Sequence, residues 1–264
     1  MKKNMLRELL DAGKPTIGTH MISVSPQIVE VIGLSGAFDY IELSGEYAAW
    51  GLSDLENFAR AVELFPQMSS MMKVEQEPRI FITTRSLGAG IQNVLFSDCR
   101  SAEEVRECVR AVKPATPEDG GVHGCAVRRS AGYFVEVGSE AWVKAQQEVI
   151  IAVMIEKASA MEQLDEIMEV KGVDMLQFGP CDYAINIGKP GQMNSPEIMR
   201  VQRDMIERAL KKRVHPRVEI ESFEEAKEFI EMGVRHFCIG FDLAILYQWS
   251  QLQGKGLREM LADV

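Results

Sequence analysis

Two carboxylates follow apolar segments of the chain. Glu156 comes directly after the run Val149–Ile155, and Asp182 follows Val173–Phe178 across a short Gly-Pro turn. Short continuous apolar runs are typical of parallel strands that are buried on both faces. The two segments are consecutive, so both carboxylates would reach the same edge of one sheet. Hard divalent cations prefer oxygen ligands of this kind, so we predict that Glu156 and Asp182 bind one Mg²⁺, Mn²⁺ or Co²⁺ ion.

The turn before Asp182 could also bind a substrate. Gly179 and Pro180 predict a tight turn, after which the backbone N–H groups of Cys181 and Asp182 would face the same edge of the sheet. Adjacent N–H groups of this kind can hold a carboxylate. The alternative for Asp182 is a turn residue that caps its own backbone. The alternative for Glu156 is a solvated glutamate that pairs with the lysine after it.

Further polar residues lie at other predicted strand ends. Lys73 is a cation within the otherwise apolar Met71–Val74, where it could contact a substrate carboxylate or an enolate oxygen. It could equally pair with Glu46 or with a neighbouring glutamate. His20 ends the first apolar segment and could act as a base or as a donor to one. Glu46 and Tyr47 follow the second segment and complete the set of candidate catalytic residues.

Eight apolar segments rich in β-branched residues alternate with amphipathic stretches. The segments are Thr16–Met21, Tyr40–Leu43, Met71–Val74, Gln92–Phe96, Val149–Ile155, Val173–Phe178, Arg217–Ile220 and His236–Gly240. Helix-start signals of the form S-x-x-E or S-P follow most of them. These signals begin at Ser25, Ser53, Ser101, Ser159, Ser195 and Ser222.

This alternation predicts the α/β class and a (β/α)₈ barrel, in which functional residues gather at the C-terminal ends of the strands. A doubly wound open sheet is the alternative, but no G-x-G-x-x-G follows the first segment. We predict one domain over residues 1–264, with 243–264 as a C-terminal helical extension. A Gly- and Pro-rich stretch, Lys113–Ser139, is predicted to be a long loop over one mouth of the barrel.

The charge balance excludes some classes of partner. The 264 residues include 29 Lys and Arg against 39 Asp and Glu, a net charge of −10 at pH 7. A nucleic acid or an anionic membrane surface would call for a basic face, so neither is expected as a partner. The longest apolar run, Val149–Ile155, is far shorter than the ~20 residues of a membrane span. Five cysteines without a CxxC motif indicate reduced thiols, so we predict a cytoplasmic protein.

Three motifs have a counterpart in a known family. Met154-Ile-Glu156 is followed by a helix and by Phe178-Gly-Pro-Cys-Asp-Tyr183, and the other two motifs are Gly88–Phe96 and Gly240-Phe-Asp242. With them the chain resembles the HpcH/HpaI aldolases, metal-dependent class II pyruvate aldolases on a (β/α)₈ barrel. The resemblance implies that Glu156 and Asp182 bind the metal and that the amides of Cys181 and Asp182 hold the pyruvate carboxylate. It also implies a homo-oligomer, from dimer to hexamer, in which the C-terminal helix packs on a neighbouring subunit.

The second strand departs from the family pattern. The family reads D-W-x-x-x-D-x-E-H there, whereas Asp39–Tyr47 reads D-Y-I-E-L-S-G-E-Y. Ser44 and Tyr47 therefore stand in place of the acid–base pair, and Lys73 stands in place of an arginine. We predict that Tyr47 donates or accepts the proton. A phenol is a poor base at neutral pH unless the metal or Lys73 lowers its pKa, and a metal-bound hydroxide is the other candidate base.

Together these residues predict a carbon–carbon lyase. It would cleave or form a bond between a 2-oxo acid such as pyruvate and an aldehyde, through the enolate of pyruvate. Lys73 would place a positive charge where negative charge develops. Two alternatives stay open. One is a decarboxylase or hydrolase of an oxaloacetate-like acid that also passes through a metal-stabilised enolate, and the other is a binder of 2-oxo acids without catalysis.

Overall fold

The computed structural model describes residues 2–262 and contains a closed barrel of eight parallel strands in sequential order. The strands are β1 Thr16–Met21, β2 Tyr40–Ser44, β3 Ser69–Val74, β4 Asn93–Phe96, β5 Ile151–Ile155, β6 Met175–Phe178, β7 His215–Ile220 and β8 His236–Phe241. β8 pairs with β1, which closes the barrel. The predicted (β/α)₈ barrel is confirmed, and the open sheet is excluded.

Helices separate the strands, and one more precedes them. They are α1 Met5–Asp11, α2 Pro26–Leu34, α3 Leu52–Glu63, α4 Arg79–Ala89, α5 Ala102–Val112, α6 Glu140–Gln147, α7 Ala158–Glu162, α8 Leu164–Met168, α9 Pro180–Asn186, α10 Pro196–Lys212, α11 Ala226–Met232 and α12 Asp242–Leu261. α1 packs Leu6 and Leu10 against the interior residues Met71, Leu95 and Ile150. Because α1 covers the N-terminal end of the strands, the barrel opens at their C-terminal end.

Three of the six helix-start signals are correct. Pro26 and Pro196 each begin a helix, and the Ser101 side chain accepts a hydrogen bond from the Glu104 N–H at 3.2 Å. The signals at the other three serines are wrong, because α3, α7 and α11 begin at other residues. At α3, for example, the Asp54 carboxylate accepts from the Gly51 N–H at 2.8 Å and starts the helix without Ser53.

The long segment between α5 and α6 lies beside the N-terminal ends of β4 and β5, away from the open end. Arg128 donates to the Thr84 carbonyl, while Arg129 pairs with Glu63 and donates to the Ala89 carbonyl at 3.1 Å. A cavity of about 560 Å³ lies between this segment and the strand starts. The two arginines therefore fasten the segment to α3 and α4 and do not face the strand ends.

The C-terminal helix α12 projects from the barrel. The predicted helix over 243–264 is observed from Asp242 to Leu261, and residues 263 and 264 lie outside the described part of the chain. Asp242 ties its first turn to the barrel by accepting from the N–H groups of Ile22 and Ser23 at 2.9 and 3.0 Å. No residue of α12 is buried. Within residues 2–262, no helix is long and apolar enough to cross a membrane.

Candidate active site at the C-terminal end of the barrel

Side chains that point inward at the C-terminal strand ends line the open end of the barrel, here called the mouth. Lys73 lies two residues after Met71 on β3, and Glu156 lies two residues after Met154 of β5. Both methionines belong to the apolar cluster inside the barrel. Successive side chains alternate along a strand, so both polar residues also point inward. They lie at or just beyond the last residues of β3 and β5, where the mouth begins.

Glu156 is held by a single backbone group. Its side chain is almost fully buried, and its Oε1 accepts from the Asp98 N–H at 2.6 Å. Asp98 has a φ of 53°, a left-handed conformation that is uncommon outside glycine and presents this N–H to the carboxylate. Burial raises the pKa of Glu156 to about 7, and the Asp98 N–H and Lys73 offset only part of this. The carboxylate therefore lies at the mouth without a close cationic partner.

The Glu156 carboxylate reaches the start of α9. A Cβ atom at Gly179 would lie 2.4 Å from Glu156 Oε2, so only glycine leaves room for this approach. The predicted tight turn is in fact the first turn of α9, which begins at Pro180. The N–H groups of Cys181 and Asp182 lie in that turn, where amides have no partner within the helix. The predicted group of residues 179–182 thus comes together next to Glu156.

Lys157 pairs with carboxylates other than the one beside it in sequence. Its ammonium contacts the Asp98 carboxylate and lies 3.9 Å from Asp182 Oδ1. The alternative in which Glu156 pairs with Lys157 is therefore not the arrangement observed. One lysine partly balances two carboxylates at the ends of β4 and β6, and Asp182 itself stays about half exposed.

The two carboxylates at the ends of β5 and β6 fit a hard divalent cation. Glu156 Oε2 approaches the α9 start, and the Asp182 carboxylate is open to solvent. Among residues 2–262, no three His, Cys, Asp or Glu side chains converge as a complete set of metal ligands. Mg²⁺ commonly takes one or two carboxylates and completes its shell with water and substrate. The donor set here is of that kind.

A second group at the mouth, at the ends of β2 and β3, contains Lys73, Tyr47 and Glu46. Lys73 Nζ donates to Tyr47 Oη at 2.7 Å and lies 2.7 Å from Glu46 Oε2. Burial lowers the pKa of Lys73, but Tyr47 and Glu46 together raise it above the ordinary value. Lys73 therefore stays a cation, and a Schiff-base role is not supported. The predicted proximity of these three residues agrees with the structure.

Tyr47 keeps its proton at neutral pH in this setting. Although more than half of the residue is exposed, burial of its hydroxyl raises the pKa of Tyr47 to about 12 and outweighs the opposite effect of Lys73. Lys73 does lower this pKa, but the loss of hydration is the larger effect, so the condition under which Lys73 would make the phenol a base is not met. Since Lys73 donates to Tyr47 Oη, the phenol proton remains available to another acceptor.

His20 lies apart from that group. It points inward from β1, with its Nδ1 3.6 Å from Glu219 Oε1 and 3.8 Å from Cys238 Sγ. Its ring stacks on Phe241 at 5.1 Å between centroids. β2 lies between β1 and β3 in the barrel, so His20 and Lys73 come from strands that are not neighbours.

Glu219 is a mouth residue that the sequence reasoning missed. Arg217 on the same strand is completely buried and contacts Glu42 of β2 at 2.5 Å across the barrel. Glu219 is two residues further along, so it also points inward, and it accepts from Gln177 Nε2 at 3.0 Å. The available signal was a pair of charged residues, Arg217 and Glu219, two positions apart in a predicted barrel strand. The sequence did not show which face of that strand points inward.

Comparison with known proteins places this architecture in a family. The HpcH/HpaI aldolase/citrate lyase family matches residues 20–248. The chain belongs to this family. The predicted resemblance is thereby confirmed, and with it the expectation of a carbon–carbon lyase of the HpcH/HpaI type. The replacement of the family histidine by Tyr47 stays a prediction.

Three similar proteins illustrate the range of the HpcH/HpaI family. A 4-hydroxy-2-oxo-heptane-1,7-dioate aldolase of Escherichia coli is 26% identical, covering 92% of this chain and 91% of the relative. A 5-keto-4-deoxy-D-glucarate aldolase of Enterobacter sp. strain 638 is 28% identical, covering 94% of each. The crystal structure of a family protein from Burkholderia cenocepacia J2315 has a TM-score of 0.87 at 21% identity, covering 97% of this chain and 100% of its own. The last comparison supports the fold alone.

Proposed function

We propose that this protein is a divalent-metal-dependent aldolase that forms or cleaves the bond between pyruvate, or a similar 2-oxo acid, and an aldehyde. The observation that carries the proposal is the meeting of Glu156 and the α9 start at the mouth, with the cation Lys73 two strands away on β3. The names of the two aldolase relatives describe 2-oxo and keto acids as their substrates, which supports the same class of substrate here.

Each residue near Glu156 has a distinct task in this proposal. Glu156 and Asp182 would hold Mg²⁺, Mn²⁺ or Co²⁺, and such an ion, when bound, supplies positive charge that stabilises developing negative charge on the substrate keto oxygen. The Asp98 N–H fixes the orientation of the Glu156 carboxylate. The first-turn N–H groups of Cys181 and Asp182 would donate hydrogen bonds to the substrate carboxylate.

Residues that line the mouth would carry out the proton transfers. In the direction of synthesis, a proton leaves the pyruvate methyl group, that carbon bonds to the aldehyde carbon, and one proton is delivered to the aldehyde oxygen. Tyr47 is suited to deliver it, because it is protonated and Lys73 can stabilise the phenolate that remains. Glu46 and His20 are the candidate bases for the methyl proton.

Decarboxylation of an oxaloacetate-like acid is the second candidate. It forms the same enolate but requires no base, since the departing carboxylate leaves its electron pair behind. The pKa of about 12 for Tyr47 favours this candidate, because it removes the phenolate as a base at neutral pH. A cytoplasmic location also stays a prediction.

The two reactions can be distinguished by their substrates. We expect the protein to release pyruvate from a 4-hydroxy-2-oxo acid in the presence of Mg²⁺ or Mn²⁺, as measured by the oxidation of NADH with lactate dehydrogenase. EDTA and Glu156→Gln should abolish the release. Glu162→Gln, an exposed residue on α7, is the matched control and should retain it. Release of pyruvate from oxaloacetate alone would favour the decarboxylase.

A further inference from the structure

The wall of the mouth formed by the end of β7 is acidic. Glu219 points inward, yet 44% of its side chain is exposed, so it faces the open mouth and not the barrel interior. Glu221 and Glu225 follow it, and the Glu221 N–H donates to Glu225 Oε2 at 3.2 Å. These three glutamates are called the β7 wall.

The cation nearest to the β7 wall along the strand does not face the mouth. Arg217 is completely buried. Its guanidinium is engaged by Glu42 at 2.5 Å and by Tyr40 Oη at 2.7 Å, and it also donates to Gln177. A charge that is already paired and sealed in the interior has little attraction left for an anion at the surface. The β7 wall therefore keeps its negative charge.

The two lysines on the other walls are paired with carboxylates. Lys73 lies 2.7 Å from Glu46, and Lys157 contacts Asp98. On the rim beside β3 and β4, Arg100 donates to Gln76 Oε1 at 3.3 Å. Gln76 is neutral, so Arg100 keeps its charge, but it lies beside β3 and β4, on the side of the barrel opposite β7. A substrate whose second carboxylate reaches towards β7 would therefore meet the acidic β7 wall.

The β7 wall can accept a hydroxyl group. Glu219 Oε2 already accepts from Gln177, but Glu219 Oε1 lies 3.6 Å from His20 Nδ1, which is too long for a hydrogen bond. That oxygen can accept from a substrate O–H, and hydrogen bonds to an ionised carboxylate are among the stronger ones. The Phe241 ring stacked on His20 offers an apolar surface for the adjoining carbons.

From this wall we infer that the aldehyde partner is an uncharged hydroxyaldehyde, not an aldehyde with a carboxylate, and that Glu219 selects it. The inference rests on the proposed aldolase function and extends it to the second substrate. It separates this chain from the relatives whose names describe a dioate and a glucarate.

Glycolaldehyde and glyoxylate provide the test, because they are two-carbon aldehydes that differ only in a hydroxymethyl group against a carboxylate. With pyruvate as donor and Mn²⁺ present, kcat/KM is measured for each aldehyde in the natural protein, in Glu219→Gln and in Glu231→Gln. Glu231 is an exposed residue near the far end of α11, so its replacement removes the same charge away from the mouth.

We expect the natural protein to favour glycolaldehyde. Glu219→Gln should shift the ratio of the two kcat/KM values towards glyoxylate by roughly tenfold, which is the size expected when one charge contact is removed, and Glu231→Gln should leave the ratio unchanged. A preference for glyoxylate in the natural protein, no use of glycolaldehyde, or an unchanged ratio in Glu219→Gln would overturn the inference.

The same preparations are scored for deuterium exchange at the pyruvate methyl group, which requires no aldehyde. Exchange together with the wrong aldehyde preference would reject the selection by Glu219 while leaving the proposed aldolase intact. Absence of exchange and of any aldol product would reject the proposed function itself, and the inference with it.

Discussion

Tyr47 and Lys73 share one short hydrogen bond, and their surroundings fix a definite charge on each. Burial raises the pKa of Tyr47 to about 12, while Tyr47 and Glu46 hold Lys73 in its charged form. The pair therefore presents one cation and one neutral phenol over the usual pH range. This division suits proton donation by Tyr47 and charge stabilisation by Lys73, and it argues against Tyr47 as a general base.

We therefore expect Tyr47→Phe to lower kcat for the cleavage of a 4-hydroxy-2-oxo acid by roughly 10²-fold or more, with a much smaller effect on KM. In the natural protein, the rate should show no increase from tyrosine ionisation between pH 7 and 10, because the pKa of about 12 lies above this range. A steep rise in that range, lost in Tyr47→Phe, would identify the phenolate as the active form.

At the scale of elements, the connection from β6 to α9 brings the two predicted metal ligands together. Gly179 has no side chain, so the Glu156 carboxylate can pack against the start of the helix that carries Asp182. The buried Glu156 carboxylate and the start of α9 are therefore in close contact, and a side chain at residue 179 would not fit between them.

Gly179→Ala should disturb this fit. The new Cβ would lie 2.4 Å from Glu156 Oε2 and 2.8 Å from Glu156 Cβ, so either Glu156 or α9 must move. We expect a loss of about 1–3 kcal/mol in the free energy of unfolding and weaker Mn²⁺ binding by calorimetry. Gly124→Ala is the control, since a Cβ there has no neighbour within 4 Å. Equal Mn²⁺ affinity in Gly179→Ala would show that Glu156 does not need its observed position.

The opposite ends of β7 and β8 contain a pair of histidines with a structural role. His236 Nε2 lies 3.1 Å from His215 Nδ1, and His236 Nδ1 lies 3.0 Å from Thr16 Oγ1. Burial, with a smaller contribution from His215, lowers the pKa of His236 to about 4. The folded protein therefore binds fewer protons than the unfolded chain between about pH 6.5 and pH 4, so stability is lost as the pH falls through this range.

Between pH 7.5 and pH 5, His236 should account for a loss of about 2 kcal/mol in the free energy of unfolding. Urea unfolding at the two pH values measures the loss. His236→Gln keeps a polar side chain but cannot titrate. Between pH 7.5 and pH 5, the free energy of unfolding of this variant should therefore fall by about 2 kcal/mol less than that of the natural protein. An identical pH dependence in the two proteins would mean that His236 has the same pKa in the folded and the unfolded state.

The strands could be predicted from the sequence better than the contacts between them. The short, largely apolar segments that end at Ile155 and Phe178 favour buried strands over helices because of their length and β-branched residues, and the positions of the carboxylates after them follow from that assignment. The starts of α7 and α11 were misplaced because S-x-x-E is a weak local signal. The sequence did not predict the Lys157–Asp98 pair or the inward position of Glu219. Both depend on which face of each strand points into the closed barrel.

At the scale of the whole molecule, the barrel and α12 differ in how completely they are packed. Ile245, Trp249 and Leu252 recur at helical spacing along one face of α12, and all three are exposed. The apolar side chains of the barrel, by contrast, form one extensive buried cluster. A face of this kind is typical of a helix that packs on another subunit, in agreement with the homo-oligomer predicted from the sequence.

Trp249→Glu combined with Leu252→Glu should therefore lower the mass of the particle in light scattering while the circular dichroism of the barrel is retained. Gln253→Glu adds a charge to the same helix and serves as the control. A single-subunit mass for the natural protein, or an unchanged mass in the double variant, would contradict an assembly through α12.

The most direct test of the proposed chemistry is deuterium exchange at the pyruvate methyl group, followed by NMR in D₂O without an aldehyde. Exchange should occur with Mg²⁺ or Mn²⁺, stop with EDTA and in Glu156→Gln, and persist in Glu162→Gln. That result would show that the enolate of pyruvate forms at this mouth and depends on Glu156. Exchange that persists without the metal or without Glu156, or binding of pyruvate with no exchange at all, would contradict the proposed aldolase.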